Sequence, residues 1–190
     1  MTGTVKTQQA FAQQQLDGLK RFVGGQLAGT VPLYAKQVHQ PPEEKVAIDG
    51  VRIHWIETNA HYPGDTMIFF PEASVVFTGD LVYVDRILGV LPQSNVRKAQ
   101  AAFQRLVALN LRHVVPGHGQ VTDLVQAKRE TGNYYDFLIA NAGAAARNMD
   151  PIGETLDKFA KPAQFSHLEN FTELHRANMN RVSVDFEANP

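Results

Sequence analysis

Three glycine turns constrain this chain more than any other feature. Each follows an apolar, β-branched run, and each carries a side chain able to bind a metal ion. They are His61-Tyr62-Pro63-Gly64-Asp65-Thr66, Phe77-Thr78-Gly79-Asp80 and Val114-Val115-Pro116-Gly117-His118-Gly119. A strand end holds a side chain rigidly, and glycine beside it lets backbone or ligand approach closely. The chain has no cysteine, which excludes disulfides, Cys-ligated zinc and a thiol nucleophile. A metal site here must therefore be built from His, Asp and Glu.

The rest of the pattern is that of a mixed α/β chain with no transmembrane run. Residues 4–28 read as a Gln-rich amphipathic helix with Ala12, Leu16, Leu19, Val23 and Leu27 on one stripe, followed by a linker with Pro32, Pro41 and Pro42. Val46–Asp49 and Val51–Glu57 flank Asp49-Gly50, a two-residue hairpin signal. Strands are expected at Thr66–Phe70, Ser74–Thr78 and Arg112–Val115, and helices at 96–109 and 122–146, with Gly132 a weak point in the latter. Asp150-Pro151 predicts the start of a helix running to Ala160. Ser166 and Glu169 predict a capping box for the final helix. At 190 residues the chain is long enough to bury a core as a single domain. Its 18 basic and 19 acidic residues give no field favouring nucleic acid or an anionic membrane. The same sequence offers no signal-peptide core, so a cytoplasmic location is the default as written, with compartment otherwise unknown.

The stretch from His61 to Gly119 resembles the second half of a metallo-β-lactamase-superfamily metallohydrolase, and the C-terminal helices, with FSHLENFTEL at Phe165–Leu174, are similar to the tail of bacterial members. The N-terminal helix is similar to the segment some members carry between their halves. The resemblance implies a partial αββα sandwich (α/β, more strictly α+β): a helix at 1–30, a sheet and metal-motif region at 45–119, and C-terminal helices at 120–190. It also implies zinc, two divalent ions about 3.5–4 Å apart, with a water between them made nucleophilic. By that resemblance His61 is a ligand of the first ion, Asp80 bridges both, and His118 is the terminal ligand of the second. Asp65, Asp85 and Arg86 are candidates to line the pocket.

The superfamily's His-x-His-x-Asp-His signature is absent from the sequence. A catalytic zinc normally has three protein ligands, and one histidine per ion plus a shared aspartate falls short. The expectation is a C-terminal portion of a metallohydrolase, inactive or incomplete as this chain. Intact, it would act on a small-molecule ester, thioester, lactam or phosphoester. The alternative is a non-catalytic oligomerising or binding remnant. A shortened sandwich would bare a sheet face drawn from Ile53, Trp55, Ile68, Phe70, Val75 and Phe77, so a homo-oligomer is expected to cover it. The remaining histidines read otherwise: His39 solvated, His54 half-buried and satisfied, His113 on the surface, and His167 and His175 on the last helix. Tyr134 and Tyr135 read as core.

Overall fold

A computed structural model describes residues 3–34 and 42–189; the readings made for His39 and Pro41 lie outside them. Two compact units are present, residues 1–42 and 43–190. In the first, helix α1 (Gly3–Val23) runs into a 3₁₀ turn at Gly24–Leu27, with Gly24 (φ 58°) and Gly29 (φ 79°) in the left-handed region. Leu16 is buried, whereas Phe22 and Leu33 are almost fully exposed. No helix among the described residues is long and apolar enough to cross a membrane.

The second unit is built on a five-stranded sheet in the order β1-β2-β3-β4-β5. Strands β1 (Glu43–Ile48) and β2 (Val51–Glu57) form the expected hairpin, and Asp49 and Gly50 take positive φ at 51° and 80°. That is the turn whose twist matches paired strands, and it suits Asp-Gly for that reason. Strands β3 (Thr66–Phe70) and β4 (Val75–Phe77) continue antiparallel, then β5 (His113–Val115) joins β4 in parallel. The parallel step needs a crossover, and α2 (Val96–Val107) lies within it, capped where Asn95 accepts from the Lys98 N–H at 2.9 Å. The spacing predicts a face of Ala99, Ala102, Phe103, Leu106 and Leu109; the helix buries the first four together with Val96, and Leu109 lies past its end, half-buried.

Strand alternation gives the sheet two different faces. Ile56, Met67, Val76 and Val114 are buried and belong to the core with Phe103, Leu106 and Tyr134. The pairing register sets Trp55, Ile68, Phe77 and Val115 side by side across the opposite face. Phe77 is 46% exposed there, with its ring edge-on to Phe70.

From Leu124 to Asn148 the chain is helical without a break: α3 (Leu124–Ala127), a π-helical turn at Lys128–Gly132, α4 (Asn133–Leu138), a second π turn at Ile139–Gly143 and α5 (Ala144–Asn148). Gly132 is therefore a contact rather than a weak point. A Cβ there would sit 2.5 Å from the Phe103 ring, so α2 can approach only because it is absent.

The last two helices begin later than the sequence suggests. Helix α6 (Ile152–Lys158) takes Pro151 as its N-cap residue, and Asp150 does not cap it. Helix α7 (Phe171–Ala188) starts after Asn170, which is left-handed at φ 57°. The Ser166/Glu169 capping box does not form, because the Glu169 backbone is paired with Asp85 and Ile87 (3.1 and 2.9 Å). His167 consequently lies exposed in the turn before α7.

His175 is buried on α7. Its Nδ1 faces the Tyr134 hydroxyl at 2.8 Å and its Nε2 the Phe159 carbonyl at 2.9 Å. A neutral ring satisfies both, donating from Nε2 and accepting at Nδ1. Burial lowers its pKa from the ordinary 6.5, and the Phe159 carbonyl only partly opposes this. The unfolded chain therefore takes up a proton that the native chain resists. That stability is complete above pH 6.5 and is lost as pH falls through the lower native value. Thermal melts should show the midpoint falling between pH 7.5 and pH 5, with a shallower fall in His175→Gln; identical slopes in the two proteins would exclude His175 as the cause.

Candidate metal centre

His61 sits in the loop between β2 and β3, and Asp65 shapes that loop. One Asp65 oxygen accepts from the Thr58 hydroxyl (2.7 Å) and the Ala60 N–H (2.8 Å); the other accepts from the N–H groups of His61 (2.9 Å) and Tyr62 (3.4 Å). Ser94 then fixes the loop from outside by donating to the His61 carbonyl at 2.7 Å. A carboxylate with four donors inside its own loop acts on the site by orienting His61.

Asp80 and His118 follow the adjacent parallel strands β4 and β5, so the sheet itself aligns them. The strand pairing extends past β4 through Thr78 N–H to the Val115 carbonyl at 3.0 Å. The Gly117 N–H then bonds the carbonyls of Gly79 (2.9 Å) and Val82 (3.0 Å). His118 is held in turn by its carbonyl accepting from the Val84 N–H at 3.1 Å.

The three side chains converge on one carboxylate. His61 Nε2 lies 3.4 Å from Asp80 Oδ2, and His118 Nε2 lies 3.7 Å from Asp80 Oδ1. His61 is mostly buried (13% exposed), whereas Asp80 and His118 are open to solvent (38% and 42%). The cluster thus has a closed side and an open one.

Two side chains not anticipated from the sequence complete its closed wall. The Tyr83 ring stacks on His118 at 4.7 Å between centroids and lies 6.2 Å from His61. Burial pushes the Tyr83 phenol well above its usual pKa, and the nearby Asp80 carboxylate adds to the rise. Thr131 clamps Tyr83 in place: its hydroxyl accepts from the Tyr83 N–H at 3.0 Å and donates to the Tyr83 carbonyl. Next to it, Glu130 is 5% exposed and accepts from the Asp85 N–H at 2.7 Å. Burial raises the Glu130 pKa, but the Asp85 N–H, Arg129 and Gln126 outweigh it and hold the carboxyl low. The π turn at Lys128–Gly132 carries both residues, and such turns are frequent at functional sites. No sequence signal singled out this pair, since Glu130 and Thr131 lie within the polar run at residues 128–133.

Asp85 and Arg86 lie on the next stretch of chain. Asp85 is exposed and left-handed (φ 66°), and its carboxylate accepts from Gln126 Nε2 at 3.0 Å. The Arg86 guanidinium comes within 3.5 Å of His118 Nδ1 and 5.8 Å of the Tyr83 ring centroid, with its Nε buried and unbonded. His54 is remote in role: its Nε2 faces Glu43 Oε1 at 2.6 Å. His113 is exposed, and Tyr134 and Tyr135 are buried core residues.

By type and direction the three donors fit a bridging carboxylate flanked by imidazoles. By number they do not enclose an ion: among the described residues no group of three or more His, Cys, Asp or Glu side chains is arranged to hold one. His61 and His118 face opposite oxygens of Asp80, so an ion at either oxygen gains one imidazole and one carboxylate oxygen from this chain.

Close packing against Asp80 makes one glycine irreplaceable. A Cβ on Gly117 would lie 2.2 Å from Asp80 Oδ1, 2.6 Å from the Gly79 carbonyl carbon and 2.7 Å from its oxygen. The side chain can rotate away but the backbone cannot. Gly117→Ala should destabilise the fold by about 2–3 kcal/mol in urea titration, as overpacking does. An unchanged midpoint would mean the β4 and β5 turns are not locked together.

A family profile described as the Metallo-beta-lactamase superfamily matches residues 6–118. Among solved structures, the stereoselective inverting sec-alkylsulfatase Pisa1 from Pseudomonas sp. superposes with a TM-score of 0.64 at 17% identity, over 81% of this chain and 27% of that one. A double mutant of the same sulfatase gives 0.64 at 16% identity, with the same coverage of 81% and 27%. The DIM-1 metallo-beta-lactamase gives 0.49 at 18%, over 63% of this chain and 54% of that one. The chain thus spans 27% of the length of the sulfatase structures it matches. No curated protein matches it.

Proposed function

From the chain's membership of the metallo-β-lactamase superfamily, we propose that it supplies one half of a metal-dependent hydrolase centre, with His61, Asp80 and His118 as its metal ligands. The observation that carries this reading is the placement of one imidazole at each oxygen of Asp80. Zinc is the ion proposed, since an all-imidazole and carboxylate donor set suits it. When bound, zinc supplies a water acidified to near neutral pH and charge to meet a developing oxyanion. The chain's own residues do the positioning. Asp65 aims His61, Gly117 admits Asp80, and Tyr83 with Thr131 braces His118.

The remaining ligands come from a His-x-His-x-Asp-His element outside these 190 residues, and the substrate is a small ester, thioester, lactam or phosphoester. The superfamily name does not select among these, because a fold does not fix its substrate. The test is hydrolysis of p-nitrophenyl acetate and p-nitrophenyl phosphate with added zinc, using the chain together with a segment bearing that element. Zinc-stimulated turnover that disappears in both His61→Ala and His118→Ala is expected. Turnover equal in wild type and variants would refute the assignment.

The apolar outer face of the sheet favours a second reading, a binding or oligomerising module. Trp55, Ile68, Phe77 and Val115 form one row across it. A self-associating chain should sediment as a dimer or larger species, and Phe77→Lys should shift it to monomer. A wild type that stays monomeric at high concentration would remove this reading.

A further inference from the structure

A cleft of about 400 Å³ opens between α6 and α7. That volume falls in the range of small-molecule sites. Its floor is apolar: Leu156 from α6, and Phe171 and Met179 from α7, are all buried. His175 adds a ring face and no free polar atom, since both nitrogens are spent on Tyr134 and Phe159. The rim is different. The two charged side chains that line the cleft, Lys161 and Arg176, are both cationic, and the hydroxyl residues Ser166 and Thr172 lie beside them on exposed positions. No carboxylate lines the cleft. Arg176 is held by Asp157 at 2.9 Å, while no ion pair engages Lys161 among the described residues.

We propose that this cleft binds a small amphipathic anion, a carboxylate on a medium-length alkyl chain, with the chain on the Leu156–Phe171–Met179 floor and the head group at Lys161 and Arg176. An apolar slot whose rim carries Lys161 beside the Asp157-paired Arg176, with no carboxylate among the lining residues, discriminates by charge as well as by shape. A neutral alcohol of equal length gains only the floor, and a cationic amphiphile meets repulsion at the rim. The hydroxyls at Ser166 and Thr172 can donate to a carboxylate head but have no comparable use for a quaternary ammonium. The assignment is independent of the metal centre and stands or falls without it.

The chain carries its own reporter. Its four methionines include Met179 in the cleft, Met67 in the core (0% exposed) and Met149 on the surface (90% exposed). Methyl-¹³C-methionine NMR of the full chain, titrated with octanoate, should move the Met179 methyl saturably and leave Met67 and Met149 in place. Octan-1-ol should move Met179 with weaker apparent affinity, and octyltrimethylammonium should not move it. Lys161→Glu should weaken octanoate binding about fivefold to tenfold, consistent with reversal of one exposed charge, and Lys161→Arg should restore it. Lys161 is exposed, so both variants should fold, and an unshifted Met67 methyl verifies that. The proposal is overturned if Met179 does not move, if all three amphiphiles move it alike, or if Lys161→Glu binds octanoate as tightly as wild type.

Discussion

Replacing Asp80 by alanine should weaken the proposed zinc binding by about a hundredfold or more. Loss of a side chain that merely orients a metal ligand costs about 10–100-fold, and Asp80 does more than orient. Among the described residues it is the carboxylate that faces both imidazoles, at 3.4 Å from His61 and 3.7 Å from His118. Remove it and two isolated histidines remain, each able to offer an ion a single bond. Its removal also takes away the carboxylate beside the Tyr83 phenol, so the brace on His118 should loosen as well. Competition against a zinc dye, wild type beside Asp80→Ala, measures the effect directly. Equal affinity would place the zinc elsewhere. The fold should survive the change, since Asp80 is 38% exposed.

The second large effect lies away from the centre. Asn178 is fully buried on α7, and its amide holds the chain that leaves the site. Its Oδ1 accepts from the Val90 N–H at 2.8 Å, while its Nδ2 donates to the Leu88 carbonyl at 2.7 Å and reaches the Tyr134 hydroxyl at 3.3 Å. Leucine has the same branched outline but is bulkier and makes none of these bonds, so Asn178→Leu strands a buried N–H and a buried C=O. Each unsatisfied group costs about 1–3 kcal/mol, and a loss of about 3–5 kcal/mol in urea titration is expected. Tyr134→Phe leaves the two backbone bonds of Asn178 in place but also strands the buried Nδ1 of His175, and should cost about 1–3 kcal/mol. A loss below that for Asn178→Leu would show that α7 is not what holds residues 88–90.

These two cases divide what the sequence disclosed from what it hid. The Asp49-Gly50 hairpin, the strand ends at Asp80 and His118, and the α2 stripe are local, written in turn chemistry and periodicity. The αββα reading rested on the same local motifs, and the superfamily match supports it. Tyr83, Thr131, Glu130 and Asn178 act through partners far along the chain: Thr131 grips Tyr83, and Asn178 grips Leu88 and Val90. No periodicity announces such a pair. The misplaced start of α7 has the same origin. Ser166 and Glu169 have the spacing of a cap, yet a long-range backbone pairing with Asp85 and Ile87 takes Glu169 instead. At Gly132, a residue that breaks isolated helices is kept because Phe103 occupies the place of its side chain.

The half-shell proposed for His61, Asp80 and His118 can be tested on the chain by itself. The measurement that bears on it most directly is a zinc titration of the 190-residue chain, read through its imidazole ¹⁵N resonances. The His61 and His118 Nε2 signals should move together, with weak affinity because each ion lacks its third protein ligand. His54, His113, His167 and His175 should stay still, and Asp80→Ala should abolish the response. Tight, stoichiometric zinc binding that leaves His61 and His118 unmoved would contradict it.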